Sequence, residues 1–524
     1  MVWQIFKKDW KLLWLFVVAV ALVHWGAAVI LFKMGLFGED PMLEMLEETI
    51  PILAYFGSMF LIAAIVHLDV LPGVRQDWLV RPISRRALLL EKCLFIVVMV
   101  ETPILLANLF QGLASGFSFR SSFLAALSQV IYLFFTFTLP LFAFASVTRN
   151  LTEAFIFGCS CAFIIETFQT LVGYLADQTH GTLTPVTWSG IGWVGENVRI
   201  ALVLLAAGVI LGLQYFRRKT VHSRILLVAF GLLVLTSQFL PWKPVFAVQR
   251  RLSSNSLAGA NTLVEFDRGA GKFQLPSGLS AAAEHARASR GAKETDNEVF
   301  LPLRVSGTPV DTILLTDRVE FWLLRPDGKA VYHGTGESLE IRREGSSPLD
   351  NSSYQSIRLP AAVYKSIEDQ PMSVELEYSL TLFSLAKSFA MAALSGDERM
   401  PGWGWCQTRM NEVGTAIELR CMQPGKGPSC GTTFLQNDVT GRRNPERSAC
   451  RPDYAPYSGH YGYDNIARFG VNLPFRDASG LAKFPVDGPQ LPQSQVVIRS
   501  YEPEDHFVRS LVIPEIRLRD WEAQ

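Results

Sequence analysis

The chain has 524 residues, 49% hydrophobic and 18% charged, and its 48 Lys and Arg balance 48 Asp and Glu to a formal net charge of zero. That balance, with no Lys/Arg-rich tract and no interleaving of aromatic and basic residues, argues against nucleic acid as a partner. The averages conceal a division, because apolar stretches dominate up to Pro241-Trp242-Lys243-Pro244 and ordinary soluble composition follows. The expected organisation is therefore a transmembrane domain over residues 1–243 and a second domain over 244–524, of one or two modules and long enough to bury its own core.

In chain order, Trp3, Phe6 and Trp10 follow helical spacing with Lys7, Lys8 and Lys11 between them. They read as a short amphipathic helix on the membrane surface or as the charged flank of the first span. A spanning helix needs about 20 apolar residues. Leu12 to Phe32, Ile50 to Leu71, Leu88 to Phe110, Phe123 to Val147 and Leu151 to Leu175 meet that length, and the shorter Ile200 to Phe216 and Ile225 to Leu240 bring the spans to seven. The first is too long for a signal-peptide core and lacks a small-residue cleavage site, so it is read as retained. Pro103 and Pro140 fall inside spans and predict kinks. The stretch from Asp177 to Val198, with Trp188 and Trp193, is too polar to span and reads as an external loop or re-entrant segment.

Orientation follows from the short loops. With the N-terminus inside, one side collects Lys7, Lys8, Lys11, Arg75, Arg81, Arg85, Arg86, Lys92, Arg149, Arg217, Arg218, Lys219 and Arg224; the other has Lys33, Arg120, Arg199 and Lys243. Positive charge accumulates on the cytoplasmic side, so seven spans place the C-terminal domain outside the cytoplasm, on a cell (inner) membrane protein.

Ionisable residues within the spans are candidate intramembrane polar sites, since a charge there is expensive and usually turned toward the bundle interior. Glu101 and Glu166 are the principal candidates, as a polar path or as carboxyls hydrogen-bonded between helices; His24, Asp69 and Glu153 lie in or beside spans as well.

The second half reads as mainly β and sandwich-like. Val299 to Val305, Arg318 to Leu324, Ser373 to Phe383, Ala416 to Met422, Gln495 to Tyr501 and Phe507 to Ile513 are strand candidates, and Leu279 to Arg290 is a helical one. Asp327-Gly328 marks a hairpin, and Glu412-Val413-Gly414 marks another that sets Cys406 beside Cys421. Of the seven cysteines, Cys93, Cys159 and Cys161 lie in spans, while Cys406, Cys421, Cys430 and Cys450 cluster in the second half. In an oxidising compartment those four suggest two disulfides, with three connectivities open. The hairpin favours Cys406 with Cys421, leaving Cys430 with Cys450; zinc is disfavoured because ligand spacing is lacking.

The search for catalytic chemistry is negative. The segment Gly269-Ala270-Gly271-Lys272 lacks the glycine spacing and hydroxyl of a phosphate loop. The H-E-x-x-H metalloprotease motif is absent from the sequence. His460, in the Tyr- and Gly-rich stretch Tyr454 to Tyr463, reads as a binding-surface residue or part of a packed loop. No intrinsic enzyme activity, metal or cofactor is therefore expected.

The loop between the second and third spans is the most specific segment: Asp77-Trp78-Leu79-Val80-Arg81-Pro82-Ile83-Ser84-Arg85-Arg86, running into Ala87-Leu88-Leu89-Leu90-Glu91-Lys92. Pro82 stops one helix and the Ser84 hydroxyl can cap the next. Here the chain resembles the membrane (permease) subunits of ABC transporters of the type 2 export class, over residues 1 to about 216. That resemblance implies a separate ABC ATPase subunit that supplies ATP-driven work, and makes Asp77, Arg81, Pro82, Arg85 and Arg86 candidate coupling residues. The positive-inside rule with a helix cap would account for the same charges without a partner. A seventh span and a large C-terminal domain depart from the family pattern. The expected function is a permease-like exporter subunit with an extracytoplasmic substrate- or partner-binding domain. The alternative is a non-transporting, membrane-anchored binding or sensor protein of the cell envelope. The lipid bilayer is the other expected partner, and assembly as a homodimer or heterodimer is left open.

Overall fold

The computed structural model describes residues 1–34, 41–69, 84–178, 192–273, 296–343, 352–401, 403–425, 430–448, 450, 466–476 and 483–522. The candidate helix at 279–290, the loop carrying His460, and Asp77, Arg81 and Pro82 lie outside these residues.

Among the described residues, seven helices are long and apolar enough to cross a membrane: Val2–Lys33, Thr49–His67, Arg85–Ala114, Phe119–Val147, Leu151–Leu175, Trp193–Arg217 and Thr220–Phe239. They are the first to seventh spans below. The first is continuous from Val2, so Trp3 to Lys11 form its opening turns and not a separate surface helix. The sixth begins earlier than its apolarity suggests and takes in residues read from sequence as loop. Polar residues can join the helix there because each finds a partner: the Tyr132 hydroxyl donates to buried Glu196 at 2.9 Å, and the Asn197 amide donates to the Trp193 carbonyl at 2.8 Å.

The bundle core is built where the second, third, fourth and sixth spans meet the first, around Leu61, Ile65, Phe95, Ile104, Phe142 and Tyr215. The fifth and seventh spans present large apolar side chains outward, among them Phe155, Phe163, Ile225 and Leu232. For a bundle whose solvent is lipid, this is an ordinary surface. Pro103 and Pro140 each sit just after a widened π-turn, at Val97–Glu101 and at Phe134–Thr138. Proline lacks an N–H and clashes with the carbonyl one turn back, and the wider turn absorbs that conflict without ending the helix.

A ten-residue linker helix, Trp242–Arg251, follows the seventh span and leads into the β-domain. Its strands are β1 (Leu263–Phe266), β2 (Asp296–Ser306), β3 (Thr312–Leu324), β4 (Ala330–Gly336), β5 (Glu340–Arg343), β6 (Ser352–Pro360), β7 (Met372–Ala392), β8 (Asp397–Met400), β9 (Gly404–Met410), β10 (Ala416–Pro424), β11 (Cys430–Asn437), β12 (Arg447–Ser448), β13 (Ile466–Pro474) and β14 (Ser494–Ile516). The larger sheet has ten strands in the order β1-β2-β6-β4-β3-β7-β14-β11-β12, with β5 on β3; the smaller runs β13-β10-β9-β8. Every ladder between named strands is antiparallel.

The larger sheet curves until β1 touches β14, around a core that includes Leu301, Phe321, Ile357, Leu376 and Ile513. At its other end the smaller sheet packs on it face to face, with Ile417, Leu419 and Leu473 against Met391, Leu435, Val496 and Ile498. The two strands expected at 495–501 and 507–513 are one strand, β14, with register shifts at Ser500/Tyr501 and Pro503/Asp505. Pro503 has no N–H to give the ladder, so the pairing adjusts there while the chain stays extended.

Both expected hairpins form. Gly328 at φ 79° closes the β3–β4 turn, a left-handed conformation that glycine adopts without steric conflict. In the β9–β10 hairpin Cys406 lies directly opposite Cys421, and the two form a disulfide inside the sandwich core. Cys430 pairs with Cys450, as the remaining two. In the loop-entropy account, a bridge closing about 15 residues stabilises by about 3 kcal/mol.

Candidate functional site

Two polar constellations stand out, one at each end of the bundle. The first lies at the end of the bundle remote from the β-domain, beside Asp69 and Ser84. The Ser84 side chain caps the third span by accepting from the Ala87 N–H at 3.2 Å, which starts that helix at Arg85. Leu88, Glu91, Lys92, Phe95 and Ile96 then share its buried face. Lys92 is fully buried on this face, and its ammonium lies 2.6 Å from Asp9 of the first span, 2.7 Å from Asp69 just past the second, and 3.3 Å from Glu91. Lys8 reaches the same group from the half-exposed side, 3.0 Å from Asp69 and 3.2 Å from Asp9. Burial pushes the Asp69 carboxyl up, but the charges and hydrogen bonds of Lys92 and Lys8 outweigh it and hold the group below the usual carboxylate range.

The ions thus brace three chain segments against one another, the start of the first span, the residues just past the second and the start of the third. A fourth is added by Arg85, whose guanidinium donates to the Phe216 carbonyl at the end of the sixth span at 2.8 Å. Arg86 is exposed. Of the coupling candidates on described residues, then, Arg85 is a brace and Arg86 faces outward.

The intramembrane carboxyls separate as clearly. Glu101 is buried and accepts from the Thr138 hydroxyl at 2.7 Å, so the last residues of the two π-turns meet each other. Its second carboxyl oxygen has no hydrogen-bond partner among the described residues. Glu166 is on the exposed side of the fifth span, and the bundle interior does not receive it. Glu153 pairs with Arg224 at 2.8 Å, and His24 lies 2.9 Å from the Ser58 hydroxyl.

The second constellation joins the bundle to the β-domain. The linker helix buries Trp242, Val245, Phe246 and Gln249, one face of an amphipathic helix. Trp242 donates its indole N–H to Ser379 at 3.0 Å and lies under the Arg318 guanidinium. A polar chain runs beside it. The Trp193 indole, at the start of the sixth span, donates to Gln249 Oε1 at 3.1 Å, and Gln249 Nε2 lies 3.1 Å from His506 Nδ1. Thr381 Oγ1 is 2.8 Å from the same Nδ1 and 2.6 Å from Asp317 Oδ2.

The proton positions along this chain follow from the donors. An indole can only donate, so Trp193 fixes the Gln249 oxygen toward itself and the amide nitrogen toward His506, whose Nδ1 must accept. His506 is therefore neutral, in keeping with burial that lowers its pKa to about 4. The Thr381 hydroxyl donates to Asp317, and burial of that carboxyl, only partly offset by the bond, pushes it up to about 7.

Sequence reading missed Asp9, Glu91 and the true place of Lys92, which counts there as a loop charge. A signal was present: Lys92 falls at helical spacing between Leu88 and Phe95, where an apolar residue is expected. The second chain has no local signal, because Asp317, Thr381 and His506 belong to strands far apart in sequence. Among the described residues, no three His, Cys, Asp or Glu side chains converge in a way that could hold a metal ion.

No family model and no curated protein matches this chain. A solved structure of red sea bream transglutaminase is similar at 9% identity and a TM-score of 0.12, covering 53% of this chain and 35% of that one. This chain's match thus spans about a third of that protein's length.

Proposed function

We propose that the chain is the membrane subunit of an ABC-type exporter, driven by ATP through a separate ATPase subunit, with its β-domain outside the cytoplasm to receive or guide the exported material. The observation that carries this reading is the ion-braced platform around Lys92. A loop that transmits force must be mounted so that pushing it moves several helices together, and Lys92, Asp9, Asp69 and Arg85 bind four helical segments at the base of the loop. Loop charges needed only for orientation would require no such bracing. The two disulfides accord with an oxidising location for the β-domain. Protease added to intact spheroplasts is expected to cleave beyond residue 244; cleavage only after lysis would reverse the orientation.

Arg86 gives the sharper test of docking, because replacing Arg85 also removes a brace. Arg86→Glu is expected to weaken association with the ATPase while leaving the thermal midpoint of the detergent-solubilised chain unchanged. Arg86→Lys keeps the charge that sets topology but loses the planar fork that can hold a carboxylate bidentately, and is expected to reduce association as well. A Lys variant that recovers the ATPase as the parent does would remove the specific docking role.

A further inference from the structure

Glu101 and Thr138 meet at matching places in two spans. Each closes a five-residue π-turn, Val97–Glu101 in the third span and Phe134–Thr138 in the fourth, and Pro103 and Pro140 follow two residues later in each. A proline leaves the carbonyl one turn back without its usual donor, so both helices bend most readily there. The bond from the Thr138 hydroxyl to Glu101 Oε1, 2.7 Å long, therefore ties two points of bending to each other.

The tie rests on a carboxyl in apolar surroundings. Glu101 is 4% exposed, near the middle of its span, with Phe95, Ile96, Val100 and Ile104 buried along the helix on either side of it. Its Oε2 meets no hydrogen-bond partner among the described residues, and no cation among them pairs with it. The titratable groups of the neighbouring spans are engaged elsewhere or neutral. The Tyr55 phenol of the second stands within electrostatic reach, and His24 of the first lies 2.9 Å from Ser58. Tyr132 of the fourth donates to Glu196 of the sixth, while Lys92, two and a half turns back along the third, is held by Asp9, Asp69 and Glu91. A carboxylate at Glu101 would be an unpaired charge in the hydrocarbon core, where the acid form is far less costly. Glutamine would accept from Thr138 equally well, and an apolar side chain would fill the space without polar atoms. What glutamate alone adds is a proton that can leave.

We propose that Glu101 is a reversible proton-binding site of the bundle. With its proton on, the bond to Thr138 holds the two π-turns together. When the O–H bond breaks, its electron pair stays on the carboxylate, the proton passes to water, and the turns part so that the charge can be hydrated. The prolines allow that movement, because each span can bend where its ladder is already interrupted. The site requires only that the seven spans sit in a bilayer, and so it stands whether or not the chain transports.

The test uses the full chain in nanodiscs between pH 6 and pH 10. Infrared spectra should show the C=O stretch of a protonated carboxyl that fades as pH rises and that Glu101→Gln removes. Backbone hydrogen exchange across Val97–Glu101 and Phe134–Thr138 is read as the ratio of parent to Glu101→Gln, which cancels the intrinsic effect of pH. That ratio should rise by about a hundredfold over the range, the factor that corresponds to a charge at mid-bilayer. Thr138→Val keeps the acid and removes its donor, so the carboxyl band should move to higher frequency and exchange at pH 6 should exceed the parent's. A spectrum in which Glu101→Gln removes no carboxyl band, a band that persists undiminished to pH 10, or an exchange ratio flat across the range would each overturn the proposal. A band unmoved by Thr138→Val would do so without recourse to the glutamine variant.

Discussion

Replacing Lys92 by Met is expected to destabilise the bundle by about 3–5 kcal/mol, the range for a buried ion pair that loses one partner. The ammonium contacts Asp9, Asp69 and Glu91, and without it the single charge of half-exposed Lys8 faces three carboxylates, two of them fully buried. For a bundle of about 240 residues the thermal midpoint should fall by about 6–10 °C. The loss arises from stranded charge rather than from missing volume, because Met fills nearly the same space. Adding Asp9→Asn and Glu91→Gln to Lys92→Met should therefore recover most of the stability. A midpoint within about 2 °C of the parent for the single variant would mean that the cluster is not a brace.

The polar chain at the other end gives a pH signature visible only when it is cut. In the folded protein Asp317 is pushed up to about 7 and His506 down to about 4, so between those values the pair holds one proton, on Asp317. In the unfolded chain over the same window the pair also holds one proton, on the histidine. Equal proton counts mean that these two groups give the parent almost no pH dependence. Asp317→Asn leaves His506 alone, a depressed base whose stability contribution is present above about 6.5 and lost as pH falls toward 4. His506→Gln leaves Asp317 alone, a raised acid whose contribution is present below about 4 and lost as pH rises through 7. The full swing is about 3 kcal/mol for His506 and about 4 kcal/mol for Asp317. Thermal midpoints of the two variants relative to the parent, taken from pH 4.5 to 7, should slope in opposite directions. Parallel slopes would show that the protons are placed otherwise.

What was legible in the sequence and what was not divides along a physical line. Span number and hairpins follow from periodicity and turn chemistry that local residues carry, and so Asp327-Gly328 and the Cys406–Cys421 pair are readable. Ser84 as a cap is equally local. The end of the sixth span nearest the β-domain was not, because its helix is completed by a partner on another span, Tyr132 for Glu196. Residues 495–501 and 507–513 read as two strands, whereas register shifts near Pro503 carry one strand through both. Among site residues, Glu101 and Glu166 look alike in sequence as lone carboxylates in apolar runs. Only packing separates them: Thr138 meets the first, and the second stays on the outer surface. The chain from Trp193 to Asp317 needs five elements in register, and no stretch of sequence contains that information.

Whether the ion-braced platform around Lys92 seats an ATP-driven partner is answered by isolating the intact chain from its native membrane and identifying what comes with it. The account predicts one co-purifying polypeptide with an ATP-binding phosphate loop, recovered in fixed proportion and lost with Arg86→Glu. Recovery of envelope proteins alone, with no ATPase under conditions that preserve the bundle, would contradict it and leave the chain as a membrane-anchored binding protein.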